Sequence, residues 1–333
     1  MVKVVRVHEA GGPEVLRIED LPPTRPGPGE LRLRVEAIGL NRAEVLFRSG
    51  QYLEAPTYPS RIGYEAAGTV DAVGEGVDGF RPGDVVSVVP AFSMSQYGVY
   101  GEEAVVPARA VVKTPPGISS VQAAALWMQY LTAYGALIEI GGLAAGDFVL
   151  IPAASSSVGL AAIQIAGQVG ATSIATTRTS AKKQALFDAG AAHVIATQEE
   201  DLVAEVMRTT GGRGARLVFD PVAGPWVETL VETMAKGGTL FLYGILSMQP
   251  TPFPLFKALT NGLTLRGYTL FEVTSDPARL ARGVAFVERG LAEGVLSPII
   301  ARTFPLEQIA DAHRFMESNE QIGKIVVTVP RAA

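Results

Sequence analysis

Short runs in which apolar and polar residues alternate, punctuated by Gly and Pro, fill the first third of the chain. Residues 2–7, 31–38, 68–73 and 84–89 carry the period-two pattern of half-buried strands. Pro22-Pro23 and Pro26-Gly27-Pro28-Gly29 read as a loop, and residues 41–50 as a short helix. The pattern changes after Lys113-Thr114-Pro115-Pro116-Gly117. Ser119-Ser120-Val121-Gln122 opens a helical stretch, with apolar residues at helical spacing over 123–140. Continuous apolar runs at 148–151, 173–176, 193–195, 217–219 and 239–243, with 263–265 as a sixth, then alternate with helical patterns. Strands this apolar, separated by helices, predict a parallel sheet covered on both faces. Helices over 277–290 and 306–318 and a strand over 324–329 complete the chain.

Composition narrows the function classes. The 333 residues suffice for two domains with substantial cores, and a hydrophobic share of 48% places the chain among ordered globular proteins. The net charge of −5 and the lack of a basic stripe disfavour nucleic acid and anionic membrane as partners. With no cysteine there is no disulfide, no thiolate nucleophile and no thiolate metal ligand. The three histidines, His8, His193 and His313, lie in separate segments without ligand-like spacing and read as surface or packing residues. The first residues alternate like a strand and lack the pattern of a signal peptide. No uncharged apolar run approaches the roughly 20 residues that span a bilayer. A soluble, cytoplasmic protein is the expectation.

The first strand of the α/β half, 148–151, runs into Pro152-Ala153-Ala154-Ser155-Ser156-Ser157-Val158-Gly159 and then a helix over 160–169. This is the place of a Rossmann phosphate-binding turn. On the G-x-G-x-x-G pattern it reads Ala154, Ser156 and Gly159, so only the glycine for helix–sheet packing remains. Small residues at the other two positions still admit a pyrophosphate to the helix N-terminus, and the hydroxyls of Ser156 and Ser157 add donors. The end of the second strand reads Thr176-Thr177-Arg178-Thr179-Ser180-Ala181-Lys182-Lys183. It holds three cations and no acid, the inverse of what a ribose 2′-hydroxyl needs and the right charge for a 2′-phosphate. NADPH is the expected cofactor. Val222, Tyr243 and Gly244 follow later strands at the sheet edge where ligands bind, with Gly244 giving backbone approach; Asp220 before Pro221 reads equally as ordering its own turn.

Gly63-Tyr64-Glu65-Ala66-Ala67-Gly68, continuing to Gly74 and Val77, has the spacing G-x-E-x-x-G-x(5)-G-x-x-V. With Gly39-Leu40-Asn41-Arg42-Ala43-Glu44 and Gly323-Lys324-Ile325-Val326-Val327, it resembles the medium-chain dehydrogenase/reductase superfamily over essentially the whole chain. The zinc alcohol dehydrogenases of that family carry a metal-binding histidine where Tyr64 stands and a cysteine where Asn41 stands. The chain therefore resembles the zinc-free, quinone oxidoreductase-like branch. That resemblance implies a GroES-like β-rich catalytic domain (1–121 and 268–333) enclosing a Rossmann domain (122–267), and a homodimer paired through Rossmann sheet edges. It also implies cofactor contacts at Thr132, Val158, Gly159, Thr177 and Lys324, and it favours Lys182 over Lys183, beside Arg178, for the 2′-phosphate. Quinone oxidoreductases usually carry Ala-Ala-x-Gly-Gly-Val-Gly at the phosphate turn and a tyrosine where Thr197 stands; both are departures here.

Hydride transfer needs no protein nucleophile, because the nicotinamide carries the chemistry. The protein must orient the reactants and stabilise charge on the substrate oxygen. Without zinc that task passes to hydroxyl and amide donors: Asn41, Tyr52 in the Arg48-to-Tyr52 loop, Tyr64, and Tyr130 or Thr132. Glu65 is expected to position its loop. A quinone or α,β-unsaturated carbonyl suits such a site, because its reduced form is a stabilised phenolate or enolate. An enoyl-thioester reductase and a non-catalytic NADPH-binding protein are the rival expectations.

Overall fold

The computed structural model describes residues 1–330, and these form two compact units. Met1–Met128 joins with Pro298–Ala333 in the first, and Gln129–Ser297 makes the second. In chain order the strands are β1 (Val2–Val7), β2 (Arg17–Leu21), β3 (Glu30–Gly39), β4 (Ser60–Arg61), β5 (Glu65–Val73), β6 (Val85–Val88), β7 (Glu103–Pro107) and β8 (Val111–Lys113). Then follow β9 (Phe148–Ile151), β10 (Thr172–Thr177), β11 (His193–Ala196), β12 (Ala215–Asp220), β13 (Met234–Leu242), β14 (Thr264–Gly267), β15 (Ile300–Pro305) and β16 (Lys324–Thr328).

The first unit is the β-rich one. Its large sheet runs β15-β16-β3-β5-β6-β8, with β7 also paired to β3, and a smaller sheet runs β2-β1-β4. Two glycines of the sequence motif let this unit close. A Cβ on Gly68 would lie 2.0 Å from the carbonyl oxygen of Arg34 on the paired strand, and one on Gly63 would lie 2.2 Å from the Tyr100 ring. The motif's small residues thus record backbone approaches that any side chain would block.

The second unit is a six-stranded, all-parallel sheet in the order β11-β10-β9-β12-β13-β14. This is the doubly wound arrangement, whose order reverses between β9 and β12. One face packs Leu150, Val218 and Leu240 against Val206, Val227 and Leu230 of the crossover helices, all essentially inaccessible. Among the described residues no helix is long and apolar enough to cross a membrane.

The alternation of apolar residues located every Rossmann strand to within a few positions. The helix expected over 123–140 is broken. A short helix Ser120–Ala123 precedes Trp127–Tyr134, and the chain then widens into a π-helix over Gly135–Ile140. Gly135 leaves room there for Tyr268, whose hydroxyl would sit 2.1 Å from an added Cβ. The unit boundaries also differ from those expected, falling after 128 and 297 rather than after 121 and 267. The reason is packing: in the helix Pro277–Ala292, Gly283 seats against Leu131 and Tyr134, which holds this segment to the second unit.

Candidate functional site

In the first unit, β3 ends at Gly39 and the chain turns through Asn41 into the helix Arg42–Arg48. Asn41 was expected to offer its amide to a substrate. Its atoms are instead committed within the protein: Nδ2 lies 3.2 Å from both the Gly39 carbonyl and Glu44 Oε1, and Oδ1 accepts from Lys324 Nζ at 2.5 Å. Lys324, expected to contact the cofactor, is buried and also donates to Glu65 Oε2 at 2.7 Å. The ammonium is drawn inward because Glu65 is completely buried and a lone carboxylate there would be costly. The other oxygen of Glu65 accepts the backbone amides of Trp127 (2.6 Å) and Met128 (3.1 Å), which are first-turn donors of the helix Trp127–Tyr134. Glu65 is therefore the structural anchor that the sequence suggested.

Glu44 was not singled out from the sequence, yet it is the most perturbed acid of this unit. It is inaccessible to solvent and accepts Asn41 N at 2.6 Å and Tyr64 N at 3.1 Å. Burial pushes its pKa up to about 7, against the opposing pull of Lys324 and these donors. The signal that could have found it is the Asn41-x-x-Glu44 capping spacing.

Tyr52 and Tyr64 do come together. Their ring centroids lie 6.3 Å apart, with the rings tilted at 60°. Burial is the main cause that raises both phenols, Tyr52 to about 12 and Tyr64 higher. The Tyr64 hydroxyl donates to Glu54 Oε1 at 2.8 Å, a residue the sequence reading passed over. Tyr130, also considered as a donor, is excluded by its surroundings: it is buried and its hydroxyl donates to Gln164 at 2.7 Å.

The residues at the former metal positions do not suit zinc. Tyr64 is buried with its hydroxyl donating to Glu54, and Asn41 Oδ1 already holds the Lys324 ammonium that Glu65 shares, so a divalent cation there would have to displace Lys324 and face its charge. Among the described residues no group of three or more His, Asp or Glu side chains is arranged to hold a metal ion.

In the second unit, the turn after β9 leads into the helix Ser157–Gln168, capped by Ser156 Oγ accepting from Gly159 N at 3.1 Å. Ser156 thus spends its acceptor on the helix, and its hydroxyl proton remains to donate. A Cβ on Gly159 would lie 2.6 Å from Ala154 Cα, which is the close helix–strand packing expected of the third fingerprint position. The amides of Ser157 and Val158 have no acceptor within the helix and can serve an anion. Tyr243, stacked on Phe219 with centroids 4.0 Å apart, has a buried hydroxyl that faces Ser156 without making a hydrogen bond. Gly244 backs onto Pro221, whose carbonyl oxygen would lie 2.6 Å from an added Cβ. These features fit a dinucleotide: a helix N-terminus with free amides, an orphaned buried hydroxyl beside it, and a bare backbone at the next strand end.

The basic turn after β10 is less uniform than its sequence. Lys183 pairs with Glu200 at 2.5 Å, and Glu199 accepts Ser180 N at 2.9 Å. Lys182 is turned toward the phosphate turn, with Nζ 3.5 Å from Ser155 Oγ, and Arg178 is exposed. Thr177 is buried, its carbonyl holding Thr197 N at 2.9 Å. At the end of β12, Asp220 accepts Val222 N (3.0 Å) and Ala223 N (2.7 Å), so it orders its own turn. Burial pushes its pKa up to about 6 despite those two donors. Thr132 is buried in the helix Trp127–Tyr134.

The model of the alcohol dehydrogenase GroES-like domain matches residues 27–116, and that of the zinc-binding dehydrogenase matches 157–288. The quinone oxidoreductase of Lama guanicoe is 30% identical over 329 residues, 98% of this chain and 97% of the relative. The 2-haloacrylate reductase of a Burkholderia species is 30% identical over the full length of both chains. The structure of Escherichia coli quinone oxidoreductase complexed with NADPH superposes with a TM-score of 0.91 at 30% identity, covering 98% of this chain and 99% of that one.

Proposed function

This chain belongs to the medium-chain dehydrogenase/reductase superfamily, in its quinone oxidoreductase-like branch, and we propose that it is an NADPH-dependent, zinc-independent reductase of quinones or α,β-unsaturated carbonyls. The observation that carries the reading is the position of Lys324, whose ammonium fills the acceptor atoms of Asn41 and Glu65. Electrophilic help for the substrate oxygen then falls to a hydroxyl, and Tyr52 is the candidate, because the Tyr64 hydroxyl is spent on Glu54 and that of Tyr130 on Gln164. A phenol is a weak electrophile beside a metal ion. It suffices where the substrate delocalises the incoming charge into an enolate or phenolate.

When bound, the reduced nicotinamide supplies a hydride. The amides of Ser157 and Val158, the Ser156 and Tyr243 hydroxyls and the backbone at Gly244 would hold the dinucleotide. Thr132 and Val222 are assigned to the same site by resemblance. Lys182 and Arg178 would take the 2′-phosphate, since Lys183 is neutralised by Glu200. Glu199, bonded to Ser180, is a nearby acid that weakens this preference. The match to quinone and haloacrylate reductases over whole chains supports a conjugated substrate.

The test is a panel of quinones, enones and enoyl thioesters assayed with NADPH and NADH in parallel, before and after exhaustive chelation. Turnover of quinones or enones, at least about tenfold favoured by NADPH and unchanged by chelation, is the expected result; loss of tenfold corresponds to about one charge-assisted contact. Lys182→Ala should remove most of that preference. Equal use of NADH would overturn the cofactor assignment, and loss of activity on chelation would overturn zinc independence.

We further propose that the chain pairs with a second copy of itself through the β14 edge. β14 is the last strand of its sheet, and the adjoining helix Leu255–Asn261 exposes Leu255, Phe256 and Leu259. An uncovered apolar strip along an open sheet edge is a ready-made pairing surface.

A further inference from the structure

We infer that Asp220 is a positioning residue for the nicotinamide half of the dinucleotide: its carboxylate fixes the backbone of the 221–224 turn, and that turn holds the 244–251 loop beside it. The inference rests on the dinucleotide reading and concerns the half of the cofactor that the phosphate turn and Lys182 do not reach.

Topology separates the two halves. The turns after β9 and β10 lie on one side of the point where the strand order reverses, and β12 and β13 lie on the other. With the pyrophosphate at the β9 turn and the 2′-phosphate at the β10 end, the second nucleoside extends across the reversal to the ends of β12 and β13. Those ends, Asp220 and Leu242, are partners in register.

One carboxylate governs the β12 end. Asp220 is completely buried, and its two oxygens accept Val222 N at 3.0 Å and Ala223 N at 2.7 Å. Ala223 and Gly224 follow with positive φ, 57° and 67°, a conformation that an alanine keeps only where its surroundings hold it. The turn so fixed is laced to the next loop. Pro221 O accepts Leu246 N and Val222 O accepts Ser247 N, both at 3.0 Å, and Gly224 N donates to Thr251 Oγ1 at 2.9 Å. A Cβ on Gly224 would lie 2.4 Å from Ser247 Oγ, so the loops meet through bare backbone. Packing behind them is thin, because Ala223, Pro225, Trp226, Thr229, Ser247 and Gln249 line an open cavity of about 430 Å³. Hydrogen bonds set where these backbones stand.

Ionisation of Asp220 is part of the hold. A carboxylate accepts both amides, whereas protonation turns one oxygen into a donor and leaves one amide without its acceptor. Burial pushes the Asp220 pKa up to about 6 against the pull of the two amides, and among the described residues no cation or second carboxyl adds to the shift. The titratable group that feels its charge is the Tyr243 phenol, which burial raises far enough to stay neutral. The turn is therefore fully held above pH 6 and loosens below it.

Calorimetric titration of the whole chain with NADP⁺ and with adenosine 2′,5′-bisphosphate tests this, because the second ligand carries the 2′-phosphate and no nicotinamide nucleotide. Asp220→Asn keeps one acceptor and aims an N–H at the other amide. It should bind NADP⁺ about tenfold more weakly, the loss of one charge-assisted hydrogen bond, and the bisphosphate within about twofold of wild type. Thr251→Val, which changes no charge at an exposed position, should weaken NADP⁺ about threefold and spare the bisphosphate. In wild type the ratio of the two affinities should fall about fivefold from pH 7.5 to pH 5 and stay level in Asp220→Asn; the ratio cancels titration of the 2′-phosphate that both ligands share. Thermal unfolding checks folding, and if Asp220→Asn is unfolded, the wild-type pH profile and Thr251→Val decide. Three results would overturn the inference: equal weakening of both ligands, a wild-type ratio flat with pH, or weakening confined to Asp220→Asn, which would mean direct attraction of the cationic ring. Wild type that binds neither ligand would overturn the dinucleotide reading, and this inference with it.

Discussion

Burial of the Glu44 carboxyl makes the stability of the first unit depend on pH in a direction opposite to most acids. Its folded pKa, about 7, stands above the usual 4.5, so the native state binds its proton more tightly than the unfolded chain does. That contribution is fully present below about pH 4.5 and is lost as pH rises through 7, in total on the order of 3 kcal/mol. Buried His313 has the opposite sign: its pKa is pushed down to about 3, by burial first and then by Arg48 and Arg42, so its contribution is lost as pH falls below 6.5. Urea unfolding of wild type and Glu44→Gln between pH 5 and 8 isolates the first effect, because His313 is common to both. The wild-type stability should decline across that window relative to the variant, whose curve lacks the Glu44 decline. Parallel curves would show that Lys324 keeps Glu44 ionised throughout.

At the level of elements, the phosphate turn shows how a degraded fingerprint still builds its site. Ser156 supplies the cap that a glycine there could not, and Gly159 keeps the one contact where a side chain is forbidden. Gly159→Val would force the helix Ser157–Gln168 away from Ala154. It should cost about 1–3 kcal/mol in unfolding free energy, as overpacking does, and weaken NADPH binding by tenfold or more. Calorimetry and fluorescence titration measure the two; unchanged affinity would mean that the turn does not carry the pyrophosphate. Ser156→Ala, by contrast, removes only a cap worth about 1 kcal/mol. The strands of this unit were legible because each is an apolar run between polar turns. β2, β4, β7, β8 and β15 were missed: partly exposed strands such as Arg17–Leu21 alternate too weakly to stand out, and β4 is only two residues long.

For the whole molecule, the β14 edge leads to a concentration-dependent prediction. Light scattering after gel filtration should find twice the chain mass, and Phe256→Asp combined with Leu259→Asp should yield the single chain without loss of cofactor binding. A wild-type protein that is monomeric at micromolar concentration would remove this proposal and leave the reductase reading untouched.

Spacing and residue type alone carried the superfamily motif, the α/β half with its strand positions, the phosphate turn, and the loss of thiolates. All of these depend on neighbours in sequence or on what is missing from it. The roles of individual polar groups did not follow that way. Asn41 and Lys324 read as ligand-facing residues until the sheet brought them together across 283 positions, where a buried Glu65 demanded a cation. Glu54 had no motif at all and acquired its place only when the loop folded its carboxylate onto Tyr64 and the Ser93–Ser95 turn. Charge compensation and hydrogen bonding in a low-dielectric interior act through space, so the partner of a buried polar atom is a property of the packed chain.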